Sequence, residues 1–293
     1  MTIIKERANA KINLYLDVLS KREDGFHEVK TVMHSVRFGD EVTVTSVPAE
    51  KSVVKLNVTG CRFLPTDSRN IAVKAAYLFL ERAQLSCEVT IKLVKRIPVA
   101  AGLAGGSSDA AAVLRAMNKI HSKLFSVSAL SSLAAELGSD VAYCLYGKTA
   151  LCEGRGEKIA KIPTNISSAF VIAIANERVS TPSAYKELDR IYSDFSGDIR
   201  TSGEEKYRLL CDSLMRGEID SRGLFNVFED AVLPSCSGAS LIKAKLIELG
   251  AKGAMMSGSG PAVFGIFDTI DEAMKAAQAL REMRFKAYYA ESV

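Results

Sequence analysis

The sequence predicts an α+β protein of two domains, and three observations support this prediction. Apolar and polar residues alternate as in strands through much of the first half, whereas the second half mixes helical and strand patterns. With 293 residues, 48% of them hydrophobic, the chain can bury two cores. The polar segment 158–168, which contains Pro163, is a reasonable boundary, so we expect domains over 1–160 and 161–293.

The spacing of apolar residues predicts each element in turn. In the first half we expect strands over 12–18, 42–44, 53–58 and 89–94 and helices over 71–83 and 129–137, with Asn70 as the cap of the first helix. In the second half we expect strands over 170–175, 262–267 and 285–289. Helices are predicted there over 184–191, 204–215, 224–233, 241–249 and 270–281.

A glycine-rich loop at 98–108 leads from a predicted strand into a helix that we expect to begin near Ser107. Its three glycines let the backbone approach a bulky anion, and a helix N-terminus supplies unpaired N–H groups and the positive end of the helix dipole. The loop therefore predicts a phosphate site, although by itself a plain strand-to-helix turn is an equally good interpretation. We expect Asp109 to stabilise the N-terminus of this helix rather than to act in catalysis.

A second glycine cluster, at 256–261, lies between a predicted helix and a predicted strand. Taken alone it is a tight turn, but beside the first loop it is better interpreted as a second wall of one phosphate site. Other nucleotide motifs fail. Residues 147–149 end like a Walker A loop without its first glycine, and the chain contains no Gly-x-Gly-x-x-Gly.

The two loops, together with the segment 8–14, resemble the three sequence motifs of the GHMP kinase superfamily. Further stretches at 22–27, 138–141 and 154–157 extend the resemblance over nearly the whole chain and make it specific. The resemblance implies a two-domain architecture with a ferredoxin-like C-terminal half and the active site in the cleft between the domains. It also implies that the chain phosphorylates an alcohol with ATP, and that Mg²⁺ bridges the phosphates.

The narrower likeness is to members that phosphorylate the 2-hydroxyl of a small-molecule substrate, a cytidine diphosphate-linked methylerythritol, in the non-mevalonate isoprenoid pathway. The residues that the likeness assigns to ATP are Pro98, Val99, Ala100, Ala101, Gly102, Leu103, Ala104, Gly105, Gly106, Ser107 and Ser108. The metal ligands are not assigned.

The likeness makes Asp140 the base that accepts or orients the substrate hydroxyl, and it makes Lys11 the cation that holds this carboxylate ionised. Without the family, other interpretations are favoured. Lys11 opens an alternating strand and would be an edge or solvent-facing charge, and Asp140 would be a cap or turn aspartate.

Substrate contacts are implied for four residues. Phe26 and Tyr185 stack on the two faces of the cytosine ring and His27 hydrogen-bonds its edge, whereas Asn13 points the same way as Lys11 along the strand. The alternatives are a hinge-loop histidine at position 27 and an ordinary amphipathic-helix residue at position 185. Four positions depart from the family pattern: Asn9 and Ala142 replace prolines, Phe26 replaces tyrosine, and Lys148 replaces a frequent glycine.

Composition excludes several other classes of protein. The net charge of +4 is only mildly basic and no basic stripe occurs, so we expect no nucleic-acid partner. No apolar run reaches the ~20 residues of a membrane span. Six cysteines without a Cys-x-x-Cys spacing predict free thiols rather than a zinc site, and the first residues lack a signal peptide, so we expect a cytoplasmic protein.

Two alternatives stay open. The first is another GHMP kinase, of the homoserine or mevalonate type, against which Phe26, His27 and Tyr185 argue. The second is a diverged nucleotide-binding paralogue without this activity, against which Lys11, Asp140 and both glycine loops argue.

Overall fold

The structure is a computed structural model that describes residues 2–192 and 198–293. The chain forms two compact units, each assembled from separate segments. The first unit consists of Met1–Ala10, Gly39–Val99 and Ala104–Gly147. The second consists of Lys11–Phe38, Ala100–Leu103 and Lys148–Val293. The compact units therefore differ from continuous segments divided at residue 160, because stretches near the N-terminus belong to the second unit.

The first unit combines strands with a group of helices. Its strands come from β1 (Thr2–Lys21), β2 (His27–Pro48), β3 (Val53–Thr59) and β4 (Cys87–Val94). Its helices are α1 (Ile71–Ala83), α2 (Gly105–Ile120), α3 (Val127–Leu137) and α4 (Ser139–Tyr146). Strand β4 pairs antiparallel with β2 and parallel with β3, and α2 packs against α1 and α4.

Local sequence signals determine much of this unit. Helix α1 has the predicted bounds, and Asn70 caps it by accepting a hydrogen bond from the N–H of Ala72 at 2.9 Å. Along β4 the alternating residues Val89, Ile91 and Leu93 are all buried, which confirms the predicted strand. Helix α2 begins at Gly105, two residues before the predicted start.

The second unit contains two groups of strands. They are β5 (Thr149–Gly154), β6 (Lys158–Lys161), β7 (Ala169–Ile174), β8 (Phe225–Asn226), β9 (Gly253–Met256), β10 (Ala262–Phe267) and β11 (Lys286–Glu291). Its helices are α5 (Thr181–Ile191), α6 (Asp198–Met215), α7 (Phe228–Val232), α8 (Ser237–Glu248) and α9 (Ile270–Glu282).

An antiparallel sheet in the order β11-β7-β10-β9 forms the core of the C-terminal half. Numbered along the chain, these strands have the order 4-1-3-2, and helices α8 and α9 pack on them. The βαββαβ arrangement is that of ferredoxin-like folds, so the fold class expected from the sequence is confirmed.

In this half one segment forms a strand that periodicity did not predict, and one predicted helix is wrong in part. The first residues of the proposed boundary, 158–161, form β6, which pairs antiparallel with β5. The helix predicted over 224–233 shortens to α7, because Phe225 and Asn226 form β8 instead and pair in parallel with Tyr15 and Leu16 of β1. Periodicity within a segment does not reveal such long-range pairing.

In the part of the chain that the structure describes, none of the helices combines the length and the apolar character that a membrane span requires.

Candidate active site

Residues 100–103 of the first glycine loop lie against the second glycine loop in the second unit. Gly102 adopts φ +79°, and a Cβ atom there would lie 2.1 Å from the carbonyl oxygen of Ser257, so only glycine fits. The Ser257 hydroxyl donates a hydrogen bond to Gly102 O at 3.0 Å, and the N–H of Ala262 donates to Ala101 O at 3.2 Å. The expected proximity of the loops is confirmed, whereas their binding of phosphate stays a prediction.

Lys11 is buried beside both loops, with 4% of its surface exposed. Its Nζ donates to Asn13 Oδ1 at 2.7 Å and to Gly102 O at 2.9 Å, and it lies 3.5 Å from the place of a Cβ on Gly258. Both acceptors are neutral, and across the described residues of the second unit no carboxylate lies within 4.0 Å of Nζ. The interpretation of Lys11 as a solvent-facing edge charge is therefore wrong.

Asn13 holds this ammonium in place from two residues along β1. Its Nδ2 donates to Thr31 Oγ1 at 2.8 Å, and the Thr31 hydroxyl donates in turn to Tyr15 O at 2.6 Å. The amide orientation is thereby fixed, with Oδ1 directed to Lys11 and, at 3.4 Å, to the Ser257 hydroxyl. The contacts of Asn13 support a role in positioning Lys11, and its predicted contact with substrate stays a prediction.

Residues from β8 and α5 support the second glycine loop, residues 256–261, which we call the C-terminal glycine loop. Asn226, at the end of β8, donates through Nδ2 to Met256 O at 2.7 Å and to Gly258 O at 2.9 Å. The hydroxyls of Thr181 and Ser259 lie 2.7 Å apart. Side chains from distant parts of the sequence therefore hold this loop in its conformation.

In the first unit, helix α2 begins with N–H groups that make no helical hydrogen bond. The first helical hydrogen bond runs from the N–H of Ser108 to Ala104 O at 2.9 Å, so the three preceding N–H groups of the helix are left for another acceptor. The Ser108 hydroxyl itself donates to Asn9 O at 2.7 Å. The arrangement suits an anion bound by the N–H groups of residues 105–107.

The expectation that Asp109 stabilises the start of α2 is wrong. Asp109 lies beyond the first turn and is 2% exposed, and its Oδ2 accepts a hydrogen bond from Lys95 Nζ at 2.7 Å. Lys95 also pairs with Asp40, which is completely buried. One ammonium and two carboxylates therefore form a buried cluster in the first unit, the Lys95 cluster, which periodicity and motif matching did not reveal.

Asp140 lies in the first turn of α4 and is half-buried. Within the described part of the first unit its carboxylate takes part in no ion pair and accepts no side-chain hydrogen bond. Asp140 lies two residues beyond the N-cap Gly138 and makes no capping hydrogen bond, so it is not the cap or turn aspartate expected without the family. Its catalytic role stays a prediction, as does its pairing with Lys11.

The residues predicted to bind a base lie close together in the second unit. The His27 ring stacks on the Tyr185 ring at 4.5 Å between centroids, and its Nε2 lies 2.7 Å from Asp189 Oδ1. Phe26 is 54% exposed, with the Arg155 guanidinium 4.9 Å from its ring centroid. Because His27 already covers one face of Tyr185, the expected sandwich of a base between Phe26 and Tyr185 stays a prediction.

Family models for GHMP kinases match both halves of the chain. The model of the N-terminal domain matches residues 70–148, and the model of the C-terminal domain matches residues 212–288. The chain belongs to the GHMP kinase family. It is accordingly an ATP-dependent small-molecule kinase.

Similar proteins match this GHMP kinase over most of its length. It is 42% identical, over 95% of its own chain and 93% of the relative, to a 4-diphosphocytidyl-2-C-methyl-D-erythritol kinase of Bacillus licheniformis. A protein of the same name from Macrococcus caseolyticus is 40% identical and covers 95% of each chain. A crystal structure of 4-(cytidine 5'-diphospho)-2C-methyl-D-erythritol kinase superposes with a TM-score of 0.80 at 33% identity, covering 98% of each chain.

The structure shows the backbone at two of the four positions that depart from the family pattern, Ala142 and Lys148. At position 142 the N–H of Ala142 donates to Gly138 O at 3.4 Å, a backbone bond that a proline could not make. Lys148 adopts φ +59°, the left-handed region in which the frequent glycine of other members is unstrained. At position 148 a non-glycine residue therefore carries the strain of a left-handed backbone.

Sequence reasoning missed Asp189 as a partner of His27 in this GHMP kinase. Asp189 also accepts a hydrogen bond from Lys21 Nζ at 2.6 Å. A signal was present, because Asp189 follows Tyr185 by four residues and so lies on the same face of α5. Across the described residues, no group of three or more His, Cys, Asp or Glu side chains is arranged to hold a metal ion.

Proposed function

We propose that this GHMP kinase transfers the γ-phosphoryl group of ATP to the 2-hydroxyl of 4-diphosphocytidyl-2-C-methyl-D-erythritol, a step of the non-mevalonate pathway to isoprenoid precursors. The support comes from relatives of that name, which are 38–42% identical over 94–95% of this chain. The matching structure of that name, at 33% identity, supports the same substrate class.

The observation that carries the chemistry is the placement of Lys11. A buried ammonium held by neutral oxygens beside two glycine loops attracts an anionic oxygen, because no carboxylate of its own unit neutralises it. An ammonium has three N–H donors, and the two bonds to Asn13 and Gly102 leave one for a ligand. In the proposed reaction this N–H stabilises the negative charge of the phosphoryl group in transfer.

The phosphates are proposed to bind the backbone of 98–108 and of the C-terminal glycine loop. In this proposal a triphosphate binds the N–H groups at the start of α2, where the helix dipole has its positive end. Residues 256–260 supply the second wall, and their conformation is fixed by Asn226. Such preorganised donors lower the barrier because no reorientation is needed when charge develops.

Asp140 is proposed as the base that accepts or orients the substrate hydroxyl proton. Its carboxylate meets no cation within the described part of its own unit, so it keeps acceptor capacity for a ligand. Mg²⁺ usually enters kinase sites on the phosphates of ATP with one or two carboxylates. Of the predicted site residues, Asp140 is the carboxylate that fits this role, and the ion when bound neutralises phosphate charge.

The cytidine base is proposed to contact Phe26, His27 and Tyr185. Asp189 and Tyr185 orient the His27 ring, so the imidazole presents a fixed edge to the base. The exposed face of Phe26 is available for stacking.

We further propose that the expected division at residue 160 separates the two family domains and that the enzyme acts in the cytoplasm. The matched regions 70–148 and 212–288 fall on either side of that division. All six cysteines are free thiols, as expected for a reducing compartment.

The test is ADP release with the purified protein, ATP and Mg²⁺, measured over a panel of alcohols that includes the diphosphocytidyl substrate, homoserine and mevalonate. We expect turnover with the diphosphocytidyl substrate and a loss of turnover in Asp140→Asn with the ATP KM little changed. Turnover of homoserine or mevalonate instead would assign another GHMP reaction. ATP binding with no turnover of any alcohol would favour the diverged paralogue.

A further inference from the structure

The Lys95 cluster contains more buried carboxylates than cations. The side chains of Lys95, Asp40 and Asp109 are 3%, 0% and 2% exposed. With both carboxylates ionised the cluster would carry a net charge of −1 away from water, which is costly in a protein interior. One of the two acids is therefore expected to be neutral.

Asp40 has the environment of an ionised carboxylate. It accepts hydrogen bonds from Lys95 Nζ and from the N–H groups of Arg96 at 2.5 Å and Ile97 at 2.8 Å. Three donors, one of them charged, thus satisfy the acceptors of this side chain.

Asp109 has the environment of a neutral acid. Its Oδ2 accepts one hydrogen bond from Lys95, while its Oδ1 is buried and finds no hydrogen-bond partner among the described residues. Burial raises the pKa of Asp109 well above its ordinary value. Lys95 opposes this shift and the neighbouring Asp40 carboxylate adds to it. Both charged groups act on Asp109 from neighbouring segments, Lys95 just after β4 and Asp40 on β2.

The cluster lies directly behind the start of α2. A Cβ built on Gly105, the first residue of α2, would lie 3.0 Å from Lys95 Nζ. We propose that Asp109 is a positioning residue that carries a proton in the folded enzyme, so that Lys95 and Asp40 form a neutral pair and the positive end of α2 is left for the phosphates of ATP. The part of this inference that concerns ATP rests on the proposed function.

The proposal predicts how ATP binding responds to pH. As pH rises through the raised pKa of Asp109, the acid ionises and places a negative charge behind the phosphate-binding N–H groups. The KM for ATP of the wild-type enzyme should therefore rise on the alkaline side, and in Asp109→Asn this rise should be absent because asparagine stays neutral. In Asp40→Asn, Asp109 becomes the one carboxylate beside Lys95 and should ionise to pair with it, so the alkaline rise of the KM for ATP should be lost there too.

A direct measurement separates this inference from the kinase assignment. Infrared difference spectra of the ATP-free protein near neutral pH, wild type minus Asp109→Asn, should show the C=O stretch of a protonated carboxylic acid. Finding only carboxylate bands, or an unchanged alkaline rise of the KM in Asp109→Asn, overturns the proposal. If the protein turns over no alcohol, the spectrum still decides the protonation state, so failure of the proposed function is distinguishable. If Asp40→Asn does not fold, the spectrum and the Asp109→Asn profile suffice.

Discussion

Two buried lysines, one in each unit, show opposite ways of stabilising an ammonium away from water. Lys11 donates only to the neutral oxygens of Asn13 and Gly102, whereas Lys95 lies between the carboxylates of Asp40 and Asp109. The charge of Lys95 is neutralised within the protein and links three chain segments. The charge of Lys11 is balanced by no carboxylate in the described part of its unit, which is the condition for attracting an anionic ligand.

The largest expected effect is on the free energy of unfolding, which should differ between variants of the two lysines. Lys95→Met leaves the buried Asp40 carboxylate without its cation and should lower the free energy of unfolding by about 3–5 kcal/mol. Lys11→Met should cost much less, because it strips no described carboxylate of its unit of a cation and the Ser257 hydroxyl still donates its one hydrogen to Gly102 O at 3.0 Å. Urea unfolding followed by circular dichroism measures both variants. Equal losses of stability would contradict the comparison.

The second prediction concerns activity, for which we expect Lys11→Met to have a large effect although its effect on stability is small. Lys11→Met should lower kcat by about 10²–10³-fold, because it removes a preorganised cation that stabilises the negative charge of the phosphoryl group during transfer. Steady-state ADP release at saturating ATP measures the effect, with Lys11→Arg as a variant that keeps the charge but changes its geometry. A folded Lys11→Met protein with wild-type kcat would show that the buried ammonium is structural.

How much of this arrangement can be read from the sequence depends on the range of the interactions. Helix α1 and strand β4 follow from local periodicity, and so does the cap Asn70. The burial of Lys11 does not, because residues 10–18 of β1 are all buried and alternation then no longer distinguishes an inner face. The Lys95 cluster is also invisible to local patterns, since Lys95 and Asp40 are 55 residues apart.

The candidate site was predicted through its motifs rather than through its contacts. The glycines of 98–108 and 256–261 mark loops whose proximity the structure confirms, because a positive φ and a close backbone approach leave a recognisable residue type. The partners that hold the site, Asn226 and Asp189, carry no motif. Their positions depend on the pairing of β8 with β1 and on the packing of α5.

The third prediction tests the carbonyl that Lys11 contacts. Gly102→Ala combines a positive φ with a Cβ 2.1 Å from Ser257 O, and we expect a loss of about 2–4 kcal/mol in the free energy of unfolding. Gly25→Ala is the matched control, since Gly25 has φ +83° and no described atom within 4 Å of the added Cβ. It should cost about 1–2 kcal/mol from backbone strain alone. If thermal unfolding shows equal losses of stability in the two variants, the loops can move apart at little cost to admit the added Cβ.

The smallest expected effect comes from making the surroundings of Lys11 resemble those of Lys95. Asn13→Asp places a carboxylate 2.7 Å from Nζ, in the position of the present Oδ1, and the new ion pair competes with phosphate for the lysine charge. We expect kcat/KM for ATP to fall by about tenfold. Thr31→Val controls for the hydrogen bond from Asn13 Nδ2, because it removes the acceptor without adding charge. If Thr31→Val lowers kcat/KM as much as Asn13→Asp, the amide orientation and not the neutrality of the lysine's surroundings is what the site requires.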